Sequence, residues 1–247
     1  QSSKFSVGLL AGYQMSYLTN QNDSDEGTEL DYGDPPAGLA LGVSLAYHIS
    51  PKFAIGVDPL FVSKQGMNYT QKLIEGTGTI KTELNYTKIP LLFKFNTNPD
   101  AKVVFTAYAG PQISLLKESK FTSSENYPFK TSTLLTLNNR EYNFSDNGTT
   151  LITTTTDKSP FKSSTFGGVI GLGAQINFGK FFITPSIRAD YDFTDAEDKE
   201  ASYTIASEKK YVFKTGSLAH LSATNSKDRS TTHNITAGFF LNLGYKF

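Results

Sequence analysis

The sequence predicts an all-β chain: an eight-stranded antiparallel up-and-down transmembrane β-barrel, with long loops at one end and short turns at the other. Three observations predict it. Apolar residues alternate with small or polar ones in eight separate runs. The connections between the runs alternate in length. Aromatic residues gather at both ends of the runs.

Successive side chains of a strand point to opposite faces, so each run shows which face is apolar. Lys4–Tyr17 sets Phe5, Val7, Leu9, Tyr13, Met15 and Tyr17 against Ser6, Gly8, Gly12, Gln14 and Ser16. Ala37–Ile49 sets Leu39, Leu41, Val43, Leu45 and Tyr47 against Gly38, Gly42, Ser44 and His48. Phe53–Ser63 carries Phe53, Ile55, Val57 and Phe61 opposite Ala54, Gly56 and Asp58. Thr82–Phe95 ends with Ile89, Leu91, Phe93 and Phe95 opposite Lys88, Pro90 and Lys94. Val103–Leu115 opposes Val103, Phe105 and Ile113 to Thr106, Gln112 and Ser114. In Phe166–Phe178 the apolar set moves to even numbers: Phe166, Ile170, Leu172, Ile176 and Phe178. Phe181–Phe193 returns to odd ones, with Arg188, Asp190 and Asp192 on the second face. The eighth run, from about Thr232 to Phe247, carries Phe239, Leu241, Leu243, Tyr245 and Phe247 on one face. Pro59, Pro90, Pro111 and Pro185 fall inside runs, which predicts bulges or strand ends there.

The short connections are Ser50–Lys52, Asn96–Ala101 and Gly179–Lys180; the long ones cover about 18–36, 64–81, 116–165 and 194–231. An even number of strands places both termini at the short-turn end. One barrel domain over 1–247 accounts for the whole chain.

A soluble sandwich or a lipocalin-like barrel would also alternate, but with its apolar face inward and a charged face outward. Here the second face is mostly Gly, Ala, Ser and Gln. That suits the interior of an eight-stranded barrel, just wide enough for side chains to fill. Phe53, Phe95, Phe105, Phe178, Phe181, Tyr245 and Phe247 lie beside short turns or the terminus, and Tyr17, Phe61, Phe166, Tyr191 and Phe193 beside long loops. Two such girdles match the two interfaces of a bilayer. An open sheet edge is untenable in hydrocarbon, so the eighth strand must pair with the first. Composition excludes other classes. No apolar run approaches the ~18 residues of a transmembrane helix. A formal net charge of zero offers no field for nucleic acid, and the lack of cysteine removes disulfides and thiolate metal sites.

The stretches "FVSKQGMNYT" (61–70), "NYTKIPLLFKF" (85–95), "AYAGPQIS" (107–114) and "GGVIGLGAQI" (167–176) carry a resemblance. The chain resembles the eight-stranded outer-membrane β-barrel family of Bacteroidota to which the PorT-like proteins belong. The resemblance spans all but the two longest loops. It implies a bacterial outer-membrane location with periplasmic termini, and it brings no catalytic residues. The closing strand, with Tyr245 and Phe247, resembles the signal read by the outer-membrane insertion machinery, with the usual glycine displaced.

The second face nominates the interior as the first candidate site. Asp58, Lys64, Lys88, Lys94, Arg188, Asp190 and Asp192 should point into the lumen with Gln14, Gln112 and Gln175. Enclosed charges must pair, which reads as a structural network plugging the barrel; the rival reading is a narrow ion path. The first long loop holds Asp23, Asp25, Glu26, Glu29, Asp31 and Asp34 without a cation. It reads as a solvated acidic loop, with a calcium-binding loop as the alternative. "TLLTLNNREYNF" (133–144), "TTLITTTT" and "ASYTIASEKKYVFKTGS" read as hairpins continuing the wall above the membrane. His233 lies near Ser230 and Asp228, but one such cluster in a polar loop is expected by chance, and His48 reads as a lumen residue.

No catalytic, cofactor or metal site is therefore expected. The expected function is a non-enzymatic accessory subunit of an outer-membrane secretion, assembly or uptake complex. The alternative is a stand-alone surface adhesin or minor solute pore. Expected partners are outer-membrane lipid and lipopolysaccharide, other outer-membrane proteins, and the insertion machinery during biogenesis, with no nucleic acid.

Overall fold

The computed structural model describes residues 4–21, 30–73, 76–98, 101–127, 140–144, 150–156, 161–198, 202–205, 209–212 and 230–247. In chain order the strands are β1 (Phe5–Thr19), β2 (Leu30–Tyr32), β3 (Ala37–His48), β4 (Phe53–Val57), β5 (Leu60–Leu73), β6 (Gly76–Asn96) and β7 (Val103–Tyr127). They continue with β8 (Arg140–Phe144), β9 (Thr150–Thr156), β10 (Ser164–Phe178), β11 (Phe181–Asp192), β12 (Ser202–Ile205), β13 (Lys209–Val212) and β14 (His233–Lys246).

Eight wall strands close into a ring: β1, β3, β4 with β5, β6, β7, β10, β11, β14 and back to β1, every pairing antiparallel. The seam between the first and last strands runs unbroken from Ser6↔Lys246 to Thr19↔His233. No edge is left for hydrocarbon to meet.

The apolar face looks outward. Phe239 is 75% exposed, and Leu9, Phe93, Phe105, Ile170, Leu172 and Phe181 are exposed beside it. From Phe5 to Tyr17 the outward row of β1 climbs roughly 30 Å, taking ~3.4 Å per residue and a tilt near 40°. That is the thickness of a bilayer's hydrocarbon. Described outward positions in this band carry no charge. Aromatic rings mark its limits. Phe5 and Tyr47 lie 5.0 Å apart at the short-turn end, Phe53 and Phe95 5.3 Å, and Phe181 and Tyr245 5.0 Å. At the other end Tyr191 and Phe193 lie 5.6 Å apart.

Three strands run well beyond that band. Residues 64–81, expected as a long loop, continue β5 to Leu73 and begin β6 at Gly76, with pairing down to Leu73↔Gly76. β7 reaches Tyr127, and β9 and β8 add to its far edge. In these extensions the apolar alternation of the lower strands fades from the sequence while the pairing persists. β9 covers the "TTLITTTT" stretch, and β12 pairs with β13 from Ser202↔Val212 to Ile205↔Lys209. The expected Asn138-Asn139 turn and the acidic stretch 22–29 lie outside the described residues.

The prolines divide. Pro59 breaks one wall strand into β4 and β5, beside a register shift at Leu41/Gly42. Pro90, Pro111 and Pro185 instead sit inside β6, β7 and β11, correcting the expectation of strand ends. The β6–β7 ladder opens between Pro90↔Gln112 and Phe93↔Ala109, flanking Pro111. The β10–β11 ladder opens between Gly173↔Ser186 and Ile176↔Ile183, flanking Pro185. Proline has no N–H to lose at such a gap.

A cation placed on the mid-wall tests the solvent of the outer face. Phe239→Arg should destabilise the barrel by about 2–4 kcal/mol in phospholipid vesicles, and Phe247→Arg, at the rim, by at most about 1 kcal/mol. Urea unfolding in vesicles measures both; equal costs at the two depths would contradict the membrane register.

Candidate functional site

The second face converges on the barrel axis, where glycines make room for several of the large side chains. A Cβ at Gly12 would collide with the Phe240 ring, and one at Gly171 with Tyr108. The interior is built in layers. At the long-loop end Leu18, Met67, Leu84, Tyr86, Phe161 and Ala196 form a buried apolar cluster. Phe161 and Ala196 come from the segments flanking β10 and β11, and Phe161 bridges Glu197. These segments fold over the mouth.

Beneath lies a charged layer. Asp190, 3% exposed, sits between two cations. Its Oδ1 accepts from Arg188 Nε at 3.0 Å, and its Oδ2 accepts from Lys88 Nζ at 3.3 Å and from the Thr236 hydroxyl at 2.7 Å. Lys88 also donates to Thr236 Oγ1 at 3.2 Å, and Arg188 Nη2 donates to Gln112 Oε1 at 2.7 Å. The five residues come from β6, β7, β11 and β14, so one ion cluster ties half the ring. Asp192 is held by hydroxyls: Thr165 donates at 2.8 Å and Ser114 at 3.4 Å. On the opposite side Gln14 and Gln65 both donate to Ser63 Oγ at 2.8 Å, and Asn234 donates to Gln65 Oε1.

A second apolar layer follows: Leu10, Ala40, Leu60 and Phe240. The Arg188 guanidinium lies 5.4 Å from the centre of the Phe240 ring and joins the two layers. At the short-turn end Lys94 Nζ donates to both oxygens of Asp58, at 2.8 and 2.9 Å, and Ser44 donates to the same carboxylate at 2.8 Å. They line a small vestibule of about 60 Å³ with His48, Tyr108, Gln175 and Asn242. His48 Nε2 lies 3.3 Å from Ser6 Oγ.

The structure thus brings Lys88, Arg188 and Asp190 together, with Asp192 beside them, and sets Asp58 and Lys94 apart as a lower pair. The interior holds three cations and three carboxylates in these positions. Lys64 is a correction: it is exposed, outside the lumen. The irregularity between Leu60 and Lys64 shifts the register by one residue, and one residue exchanges the faces, so Ser63 and Gln65 enter instead. Sequence reasoning missed Ser63, Gln65, Thr236 and Asn234; Pro59 was the available signal for the first two. Asp228, one of the residues noted near His233, lies outside the described residues. His233 Nδ1 contacts the Asp192 carbonyl at 2.9 Å and the His233 ring stacks on Tyr191. Among the described residues no group of three or more metal-ligating side chains occurs.

A family model, outer membrane protein beta-barrel domain, matches residues 1–198. This chain belongs to that family. It is an outer-membrane β-barrel protein. A search of curated proteins finds no match. Among solved structures, the outer membrane protein OprG from Pseudomonas aeruginosa is similar at 12% identity, covering 100% of this chain and 97% of that one with a TM-score of 0.46. Neisserial surface protein A is similar at 11% identity over 100% and 99%, TM-score 0.39. The outer membrane protease OmpT from Escherichia coli is similar at 14% identity over 100% and 96%, TM-score 0.41.

Removing one member of the buried cluster should be costly. Asp190→Ala leaves Lys88 and Arg188 uncompensated and should lower stability by about 3–5 kcal/mol. Replacing Lys88, Arg188 and Asp190 together by Met, Met and Leu should recover most of that loss. Unfolding in vesicles measures both; a triple variant as weak as the single one would show that the charges themselves, not their pairing, are required.

Proposed function

We propose that this chain is a non-enzymatic accessory subunit of an outer-membrane complex for secretion, assembly or uptake. It would be of the PorT-like kind found in Bacteroidota, with its short-turn end and both termini in the periplasm and its long loops against lipopolysaccharide. The filled interior carries this reading. Two apolar layers and two ion clusters occupy the lumen, so the working surfaces are the outer wall and the sheet above it. The wall offers a specific feature. A groove of about 870 Å³ lies at mid-height, floored by Ala107, Ala109, Ala189 and Ala237 and flanked by Phe93 and Phe239. Ala109↔Ile170, Ile170↔Ala189 and Ala189↔Ala237 are paired neighbours, which makes the floor one rung across four strands. Small residues permit close approach of another membrane-embedded surface. Tyr245 and Phe247, which close the last strand, suit engagement by the insertion machinery.

The PorT-like reading has its own support. The Ile89-Pro90-Leu91-Leu92 stretch and the Gly110-Pro111-Gln112 stretch lie side by side on β6 and β7, joined at Pro90↔Gln112. No cofactor enters this reading.

A pull-down in mild detergent from native membranes tests it. The account expects a stoichiometric membrane partner that is lost on Ala189→Phe with Ala237→Phe, while the variant still shows heat-modifiable migration as a folded barrel. Recovery of a lone barrel would overturn the subunit reading and move the function to the strands above the membrane. Orientation is tested by Ser50→Cys: an impermeant maleimide should fail to label it in intact cells and label it after the outer membrane is opened.

A further inference from the structure

The short-turn rim carries an ordered array of charge that the lumen and the groove do not use. Four strands rise from this end: β1, β4, β7 and β11, every second strand of the ring. Each is preceded by a lysine: Lys4, Lys52, Lys102 and Lys180. All four are exposed. All four hold the same backbone position. The carbonyl of Lys4 accepts from His48 N at 2.8 Å, that of Lys52 from Asn96 N at 2.8 Å, that of Lys102 from Asn177 N at 2.9 Å, and that of Lys180 from Lys246 N at 2.8 Å. These are the last rungs of four ladders. The lysines therefore form a level crown, spaced ~12 Å apart around the rim at a strand spacing of ~4.8 Å and a tilt near 40°. That spacing exceeds the ~8 Å screening length of physiological salt, so each lysine offers a largely separate site for one phosphate. The sequence of the short connections adds one carboxylate, Asp100.

Each lysine is followed by an outward apolar residue: Phe5, Phe53, Val103 and Phe181. The lysines stand one residue beyond the hydrocarbon limit, at headgroup depth; they share the bore-side parity of their strands, but past the end of the wall all four are exposed. Lys180 shows where such a side chain can lie: its Nζ sits 5.7 Å from the centre of the outward Tyr245 ring. An array spread evenly around the circumference fits a partner that surrounds the barrel. A single docked protein would favour one side.

We propose that Lys4, Lys52, Lys102 and Lys180 bind the phosphates of anionic phospholipid headgroups in the leaflet at the short-turn end. The choice of phospholipid over lipopolysaccharide rests on the periplasmic orientation proposed above. The binding chemistry does not.

The test uses the full chain in detergent, where sidedness has no meaning, so its failure is distinct from a failure of orientation. Native mass spectrometry counts lipids retained after adding phosphatidylglycerol or phosphatidylcholine. The intact barrel should retain about fivefold more phosphatidylglycerol, a preference that falls with added salt. Glutamine at all four positions should reduce retention to the phosphatidylcholine level, with heat-modifiable migration unchanged. Lys4→Gln with Lys102→Gln, a milder variant should the full set impair folding, should lose about half of the preference. Glutamine at Lys64, Lys117, Lys120 and Lys162, at the other end, should leave it intact. Unchanged retention in the crown variants, or an equal loss in the long-loop variant, would overturn the proposal.

Discussion

Everything in this molecule depends on the seam between β1 and β14. A backbone N–H or C=O exposed to hydrocarbon costs several kcal/mol, so a membrane sheet cannot end. The seam meets that constraint along the full length of both strands. Closure at eight strands then fixes the bore. A bore that narrow seats several of its large side chains over glycine, as Phe240 over Gly12. It also has no room for bulk water, so any charge that enters must find a protein partner.

The charged layer answers that second demand. Asp190 accepts from two cations and a hydroxyl, using both of its oxygens, and Asp58 is clasped by Lys94 and Ser44. Apolar layers lie above and between these clusters. The arrangement stiffens the ring from within, since the upper cluster joins β6 and β7 to β11 and β14. On the function proposed above, contacts with partners then fall to the outside of the barrel. What remains available to partners is the notched wall, the sheet that rises beyond the membrane and the charged lower rim.

Much of this was legible in the sequence because one physical signal dominated. Where a strand divides lipid from a packed bore, apolar and small residues must alternate, and they do from Phe5 to Tyr17 and from Phe239 to Phe247. Closure, the outward face and the inward placement of Lys88, Arg188, Asp190 and Asp192 followed from that alternation. The signal fails where its cause fails. Beyond Met67 the sequence loses its apolar alternation although the pairing continues, so the strand reads as loop. Between Leu60 and Lys64, just after Pro59, a single irregularity exchanges the faces, so an unbroken count places Lys64 inward. Partners such as Thr236 and Asn234 were invisible because a lone polar residue on the small face has no distinguishing pattern. The lysine crown was present in the sequence as Lys-Phe and Lys-Val pairs, but its level geometry needed the ladders.

The central claim is that the lumen is closed by paired charges and apolar layers. Conductance of the purified barrel in planar bilayers tests it most directly. The account predicts a silent bilayer, without stable current steps, once insertion has been verified by heat-modifiable migration. Stable openings on the nanosiemens scale would contradict it, because no bore filled as this one is could pass them.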